Sequence, residues 1–216
     1  MSRLRLERHA SQVERWPRAG QHVLAQFDDD TVVVYQAYRP AIGHFAARHG
    51  WFGGEFSLGR MSWIKPGFLW MMYRSGWGQK PDQEVVLAVW LRRAAFDQLL
   101  AAAVASSFAA SGQGDEATWR AAVAGSSVRL QWDPDHGPHG ERLERRALQL
   151  GLRGAALADY ARAWIVHLED ITPLVAAQRA VLAADPAALV TPREDVYPVA
   201  PSPRAAVISA SPKRAR

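Results

Sequence analysis

The sequence predicts an α+β fold, with one domain built on a central, mostly antiparallel β-sheet that is flanked by helices. Runs dense in β-branched and aromatic residues, such as TVVVYQAY at residues 31–38 and QEVVLAVWL at residues 83–91, are typical of buried strands. Other segments place apolar residues at helical spacing instead, as in AIGHFAARHG at residues 41–50. About half of the 216 residues are apolar, which is enough to form the core of one domain.

The first half of the chain alternates between strand and helix. After the strand at residues 31–38, the helix at residues 41–50 ends at Gly50, a residue typical of helix C-caps. A glycine-rich loop then leads to RMSWIKPGFLWMMYRSGWG at residues 60–78, where Pro66 suits the first turn of a helix. Apolar residues cover every side of this helix, which indicates that it is buried.

The second half continues the alternation. Strands are predicted at residues 83–91, 127–132, 148–152 and 163–169, and helices at residues 92–110, 116–124, 154–162 and 171–184. In the strand at residues 148–152 every second residue is leucine, so Gln149 faces away from the leucines.

Composition distinguishes the two ends of the chain from its middle. Residues 1–20 mix arginine, glutamate and histidine, so we expect a poorly ordered N-terminal segment. Prolines and scattered charges dominate residues 189–216, so we expect a disordered tail there. The globular domain is therefore predicted to span residues 21–188.

Composition and missing motifs also restrict the function. The chain has no cysteine, which excludes disulfides and thiolate chemistry and suits a reducing cytoplasm. Its apolar runs are shorter than a membrane span requires, so we expect a cytoplasmic protein without a membrane partner. The net charge of +5 favours polyanionic partners such as DNA, RNA or a nucleotide, although a solvated arginine-rich surface gives the same balance. The signatures of P-loop, dinucleotide-binding and α/β-hydrolase sites do not occur.

The first candidate site is the end of the strand at residues 31–38. Gln36 and Tyr38 share one face of that strand, and Arg39 follows on the other. These side chains could bind the amide, ring and phosphate of a nucleotide. The alternative is a strand end with ordinary polar edge residues.

The second candidate site is the aromatic segment at residues 60–78. The faces of Trp63 and Tyr73 could stack on a base or a nicotinamide ring. Its cations could then bind phosphate groups. These cations are Arg60, Lys65 and Arg74. The alternative is a core helix that is capped by arginines.

A third group of residues has the composition of a metal site. Asp133, Asp135, His136 and His139 lie close together in sequence, and carboxylates with imidazoles can bind metal ions. The same composition is typical of turns, and no helical motif fixes the geometry. We therefore predict no metal.

Several blocks of the sequence resemble known families. VYQAYRPAIGHFAARHG, MSWIKPGFLWMMYRSGW, QEVVLAV, VRLQWDPDHG and LERRALQLGLRG resemble, over roughly residues 30–180, a widespread bacterial family catalogued only as a domain of unknown function. The order of the blocks also resembles ADP-ribosyltransferases, most of all the toxins that modify thymidine in single-stranded DNA. Those toxins begin with a strand, a short helix and a glycine, and continue with an aromatic-x-x-Pro block. WIKPGFLWMMY stands at the place of that second block.

The second resemblance implies a split β-sheet whose cleft binds NAD as the substrate, with ADP-ribose transferred to nucleic acid. Gln36 and Tyr38 would hold the nicotinamide amide and ribose, and Tyr73 would stack on the nicotinamide. The residues predicted to carry catalysis are Gln149, Tyr73 and Arg74, and those predicted to bind NAD are Gln36, Tyr38, Arg39, Arg60, Trp63 and Lys65.

Two positions depart from the pattern of the toxins. Gln149 stands where they carry the catalytic glutamate, and Gly67 stands where they carry a functional arginine. An amide neither stabilises an oxocarbenium-like transition state nor acts as a base as well as a carboxylate does. Either Glu144 or Glu169 substitutes for the glutamate, or the protein binds NAD without catalysis.

The alternative function is a non-enzymatic module that binds single-stranded nucleic acid. Bases would stack on Trp63, Trp70 or Trp77 in a basic cleft. That function predicts salt-dependent binding without any dependence on NAD.

Overall fold

Two β-sheets occupy the centre of the protein in a computed structural model that describes residues 2–199. The strands are β1 (Leu6–Arg8), β2 (Gly20–Gln21), β3 (Leu24–Ala25), β4 (Thr31–Tyr38), β5 (Ser62–Ile64), β6 (Val85–Arg92), β7 (Val104–Ala105), β8 (Val128–His136), β9 (Arg142–Leu152), β10 (Ile165–Asp170), β11 (Val190–Pro192) and β12 (Asp195–Val196). The helices are α1 (His9–Val13), α2 (Pro40–His49), α3 (Phe68–Ser75), α4 (Arg93–Ala102), α5 (Glu116–Gly125), α6 (Gly154–Ala161) and α7 (Thr172–Ala184). The predicted α+β fold class is confirmed.

Strand pairing is mostly antiparallel. A three-stranded sheet has the order β10-β6-β4, and both of its pairs are antiparallel. A five-stranded sheet has the order β2-β9-β8-β7, and β5 also pairs with β9. The short strands β2 and β7 are the parallel members of this second sheet. Two small antiparallel pairs, β1 with β11 and β3 with β12, join the two ends of the chain.

The two central sheets separate between β4 and β5. Strand β4 and Lys65, the residue after β5, share an isolated bridge. In it the Tyr35 amide donates to the Lys65 carbonyl at 2.7 Å and the Lys65 amide donates to the Tyr35 carbonyl at 3.2 Å. Two residues before Lys65, the Trp63 carbonyl accepts hydrogen bonds from side chains. Gln36 Nε2 lies at 3.2 Å from it and Lys65 Nζ at 3.3 Å. We call this separation the split.

The core lies on both faces of the three-stranded sheet. Alternate residues of β4 belong to different clusters: Val32 and Val34 to a large one, Val33 and Tyr35 to one that contains much of α3. A strand that is buried on both faces has a nearly continuous apolar sequence, which explains the strong strand signal of β4. Among the described residues, no helix combines the length and the apolar character needed to cross a bilayer.

Three elements differ from the prediction. The aromatic segment contains a strand, β5, near its start. This strand was not predicted, because it has only three residues and aromatic residues surround it. The helix predicted at residues 92–110 ends at Ala102, and β7 follows it. Strand β8 continues to His136 through a segment predicted to be a loop, and a bulge after Pro134 accommodates the missing N–H of proline.

The two ends of the chain pack on the domain as far as residue 199. The N-terminal segment, which we expected to be poorly ordered, forms β1 and α1, and Trp16 Nε1 donates to the Glu194 carbonyl at 2.8 Å. Residues 190–196 of the expected tail form β11 and β12, and Tyr197 is buried. The rest of the expected tail, residues 200–216, lies outside the described residues.

Candidate functional site

Gln36 fills the split from the side of the large core cluster. Its Nε2 lies 2.8 Å from Tyr38 Oη, 2.9 Å from Ser62 Oγ and 3.2 Å from the Trp63 carbonyl. Its Oε1 accepts the hydroxyl of Tyr160 at 2.6 Å. Burial raises the pKa of both tyrosines, so their hydroxyls stay neutral. Both ends of the buried amide are therefore paired, and the side chain replaces the missing backbone ladder.

A cavity of about 500 Å³ lies where the split opens, and we call it the open-end cavity. Its polar lining includes Tyr38, Arg39, Glu55, Arg60, Ser62 and Asp82. Arg39 pairs with Glu55, with 2.6 Å between Nη2 and Oε2, and both side chains are exposed. Tyr38 Oη and Ser62 Oγ are 2.6 Å apart and link this cavity to Gln36.

The opposite side of the split carries a second polar group, on the face of the five-stranded sheet that turns away from the large core cluster. Gln131 on β8 pairs with Gln149 on β9, so their side chains share this face. Both amides donate to Asp133, from Gln131 at 2.8 Å to Oδ1 and from Gln149 at 2.6 Å to Oδ2. We call Trp63, Lys65, Gln131, Asp133 and Gln149 the polar face.

Lys65 completes the polar face next to Gln149. Ile64 pairs with Leu150, so Lys65 follows β5 at the level of Gln149. Lys65 is only 6% exposed, and burial lowers the pKa of its amine to about 8. The charge of Arg74 lowers this pKa as well, while Asp133 opposes the shift. An ammonium group with little solvation therefore stands near a carboxylate.

Trp63 lies against the backbone of β9. A Cβ atom at Gly151 would come 3.0 Å from the indole of Trp63 and 2.7 Å from the sulfur of Met61. Glycine at this position therefore lets the half-buried indole pack directly on the strand, beside Gln149.

Tyr73 lies further along β8 from the polar face. Its ring stacks on His136 with 3.5 Å between centroids, and Trp70 adds a second parallel ring at 5.6 Å from Tyr73. Tyr73 is 41% exposed. Arg74 places its guanidinium 6.0 Å over Trp70. The charge of Arg74 also acts on Lys65, whose pKa it lowers.

The other two tryptophans of the aromatic segment have different surroundings. Trp70 is buried, with an exposed fraction of 4%. Trp77 packs against the α3 core cluster and donates its Nε1 hydrogen to the Pro138 carbonyl at 3.2 Å. Within this segment, Trp63 is the indole that belongs to the polar face.

A third polar cluster, which the sequence did not indicate, lies at the start of α3. Glu194 accepts the Phe68 amide at 2.6 Å, and burial raises the pKa of this carboxyl group to about 8 against the effect of that bond. Asp135 raises the same pKa further, although its own charge is paired with Arg145 at 2.7 Å. The adjoining space admits the centres of water molecules over about 20 Å³, which suits about one water.

Three of the four metal-site candidates have other side-chain partners. Asp133 accepts from the two glutamines, Asp135 pairs with Arg145, and His136 stacks on Tyr73. The fourth candidate, His139, is exposed, and its backbone N–H donates to Glu141 Oε2 at 3.0 Å. Over residues 2–199, no group of three or more His, Asp or Glu side chains could hold a metal ion.

A family model described as "Domain of unknown function (DUF4291)" matches residues 22–197. The chain belongs to this family. The match confirms the resemblance of the WIKPGFLWMMYRSGW block to a family of unknown function. It contains the three-stranded sheet, all of the five-stranded sheet except β2, and Glu194. No curated protein matches the chain. The family description states no activity.

The residues predicted from the sequence fall into two groups and one outlier. Around the open-end cavity lie Gln36, Tyr38, Arg39 and Arg60. On or beside the polar face lie Trp63, Lys65, Arg74 and Gln149. Tyr73 lies apart from both, on His136. The Trp63 carbonyl connects the two groups, because Gln36 and Lys65 both donate to it.

The sequence analysis considered Asp133 as a metal ligand and did not predict its contact with Gln149. The signal was the spacing of Gln131 and Asp133, which puts both side chains on one face of β8. The contact between Asp133 and Gln149 also depends on the register between β8 and β9, which a sequence alone does not give.

Proposed function

We propose that the protein binds NAD across the split and transfers its ADP-ribose to nucleic acid. The observation that carries the proposal is the separation of the sheets between β4 and β5, with predicted site residues on both sides. The resemblance to ADP-ribosyltransferases implies such a split sheet. That the fold is ADP-ribosyltransferase-like is part of this proposal.

The open-end cavity suits the diphosphate and a ribose. Arg39 and Arg60 both line it, and guanidinium groups bind phosphate through paired N–H donors. The hydroxyls of Tyr38 and Ser62 lie at its inner end. A volume of about 500 Å³ falls within the range of ligand sites in proteins.

The polar face suits the nicotinamide ribose. Cleavage of the glycosidic bond creates positive charge on the sugar, which a carboxylate stabilises. The polar face contributes Asp133, held by two amides, and Trp63 beside it as an aromatic surface. Arg74 adds a cation at its border.

The net charge and the lack of cysteine support the remaining parts of the proposal. A charge of +5 favours a polyanionic acceptor such as single-stranded DNA or RNA. A chain without cysteine suits the reducing cytoplasm, which we propose as the location.

Calorimetric titration with NAD tests the binding. We expect saturable binding at millimolar NAD or below, and a Kd about 10-fold weaker for Arg60→Ala because a charge-assisted phosphate contact is lost. Arg48→Ala is the matched control, since Arg48 is an exposed arginine on α2 that does not line the open-end cavity. Its Kd should equal that of the wild type.

Two results would contradict the proposal. One is the absence of binding at millimolar NAD together with no consumption of NAD in the presence of DNA, RNA or protein. The other is equal affinity of Arg60→Ala, Arg39→Ala and the wild type, which would remove the open-end cavity from the site.

We infer a second candidate function from the exposure of Tyr73. Its ring belongs to a cluster of nearly parallel rings with His136 and Trp70, next to Arg74 and Lys80. Exposed aromatic rings beside cations bind the bases of single strands. This function predicts that a single-stranded oligonucleotide quenches tryptophan fluorescence without NAD, and that added salt weakens the binding. Unchanged fluorescence at low salt would rule it out.

A further inference from the structure

Asp133 lies one hydrogen bond away from the position where the resemblance places a glutamate. Gln149 occupies that position and donates its amide N–H to Asp133 Oδ2 at 2.6 Å. We propose that Asp133 is the carboxylate that stabilises the ribosyl cation in ADP-ribose transfer, and that Gln149 is its positioning residue. This inference rests on the proposed function.

The other carboxylates suggested by the sequence lie elsewhere. Glu144 is exposed, near the start of β9 and five residues before Gln149. Glu169 is on β10 in the three-stranded sheet, where it lies 3.8 Å from His167. Neither is part of the polar face, whereas Asp133 is held at its centre by two amides.

The surroundings of Asp133 leave it able to bind a ligand. An ionised carboxylate has about four acceptor sites. Among the residues that the structure describes, Gln131 and Gln149 each donate one side-chain hydrogen bond to it. Asp133 is only half-buried, so acceptor sites remain for a substrate. The two amides fix both oxygens, which limits the reorganisation that charge stabilisation would otherwise require.

The reaction balances with groups that the proposal names. The bond between ribose C1′ and the nicotinamide nitrogen breaks, and its electron pair leaves with neutral nicotinamide. Asp133 stabilises the positive charge that develops at C1′. A lone pair of the acceptor, or of water when no acceptor is present, forms the new bond to C1′. The proton of that nucleophile passes through Asp133 to solvent.

The test combines NAD binding with the rate of nicotinamide release in the full-length protein. For Asp133→Asn we expect the Kd for NAD to stay within about 3-fold and kcat to fall about 100-fold, as for the loss of a general base or a charge-stabilising group. Glu144→Gln and Glu169→Gln are matched controls and should keep the wild-type rate. Asp133→Glu should retain more activity than Asp133→Asn, because it keeps the charge.

Gln149→Met tests the positioning role. The carboxylate remains but loses one of its two amide donors, so we expect kcat to fall about 10-fold with KM for NAD unchanged. A change in KM alone would show that Gln149 binds NAD directly and does not act through Asp133.

The outcomes separate the two proposals. If the wild type does not bind NAD, the proposed function fails and this inference fails with it. If the wild type binds NAD but releases no nicotinamide, binding stands and the role of Asp133 is wrong. The role of Asp133 is also wrong if folded Asp133→Asn keeps the wild-type rate, or if Glu144→Gln or Glu169→Gln loses it.

Discussion

Two glutamines flank β5, and their surroundings differ. Gln36 projects towards the large core cluster, where its amide meets the hydroxyls of Tyr38, Ser62 and Tyr160 and the Trp63 carbonyl. Gln149 projects from the other face, where, within residues 2–199, its side chain makes one hydrogen bond, to Asp133. Both ends of the Gln36 amide are therefore hydrogen-bonded, whereas Asp133, the partner of Gln149, keeps acceptor sites for a ligand.

The difference separates a structural amide from one that is available for a ligand. A buried amide with both ends paired is held by groups that would themselves be left unpaired without it. Asp133 is only half-buried, although Gln149 itself is buried, so this carboxylate can exchange water for substrate without such a penalty. We therefore expect the Gln36 network to stabilise the fold, and the pair of Gln149 and Asp133 to carry the chemistry.

Gln36→Met should have the largest effect on stability. The substitution keeps the length of the side chain but leaves the buried hydroxyl of Tyr160 without its acceptor and the Trp63 carbonyl without one donor. Unsatisfied buried polar groups cost about 1–3 kcal/mol each, so we expect the free energy of unfolding to fall by about 3 kcal/mol. Urea denaturation measures it, and a loss below about 1 kcal/mol would show that the network is not structural.

Much of the fold was predictable from the sequence because its main strands are buried on both faces. The segments of β4 and β6 are nearly continuous apolar runs, and their boundaries were predicted to within two residues. Helix α3 was also predicted from its apolar residues, although it is not buried on every side, because Tyr73 and Arg74 are exposed. Burial of a strand on both faces leaves a local signal that does not depend on the partner.

The missed elements depend on partners that are distant in sequence. Strand β1 pairs with β11 across more than 180 residues, and each has three residues, too few to show a period. Glu194 was assigned to a tail because proline surrounds it, yet it binds the first turn of α3. The link between Gln149 and Asp133 likewise follows from register. Residue types indicated the candidates, but only the topology selected among them.

Lys65→Met should have an intermediate effect that depends on pH. The pKa of Lys65 is about 8 in the folded protein, below its ordinary value of 10.5. Below pH 8 both states hold the proton, so the folded state carries the full penalty of the buried charge. Between pH 8 and 10.5 the unfolded state holds more protons, so the stability of the wild type rises with pH through this residue.

Replacement by methionine removes this penalty. We expect Lys65→Met to be more stable than the wild type at pH 6, by on the order of 2 kcal/mol, with the difference shrinking as pH rises from 8 to 10.5. Urea denaturation of both proteins at several pH values measures it. A difference that does not change with pH would mean that the folded protein keeps Lys65 charged.

Gln149→Met should have the smallest effect on stability and is the direct counterpart of Gln36→Met. It removes one amide donor from Asp133, but Gln131 still donates at 2.8 Å and the half-buried carboxylate can accept from water. We expect the free energy of unfolding to fall by less than about 1 kcal/mol. A loss as large as that of Gln36→Met would show that the polar face is as structural as the Gln36 network, and would remove the main reason to place chemistry there.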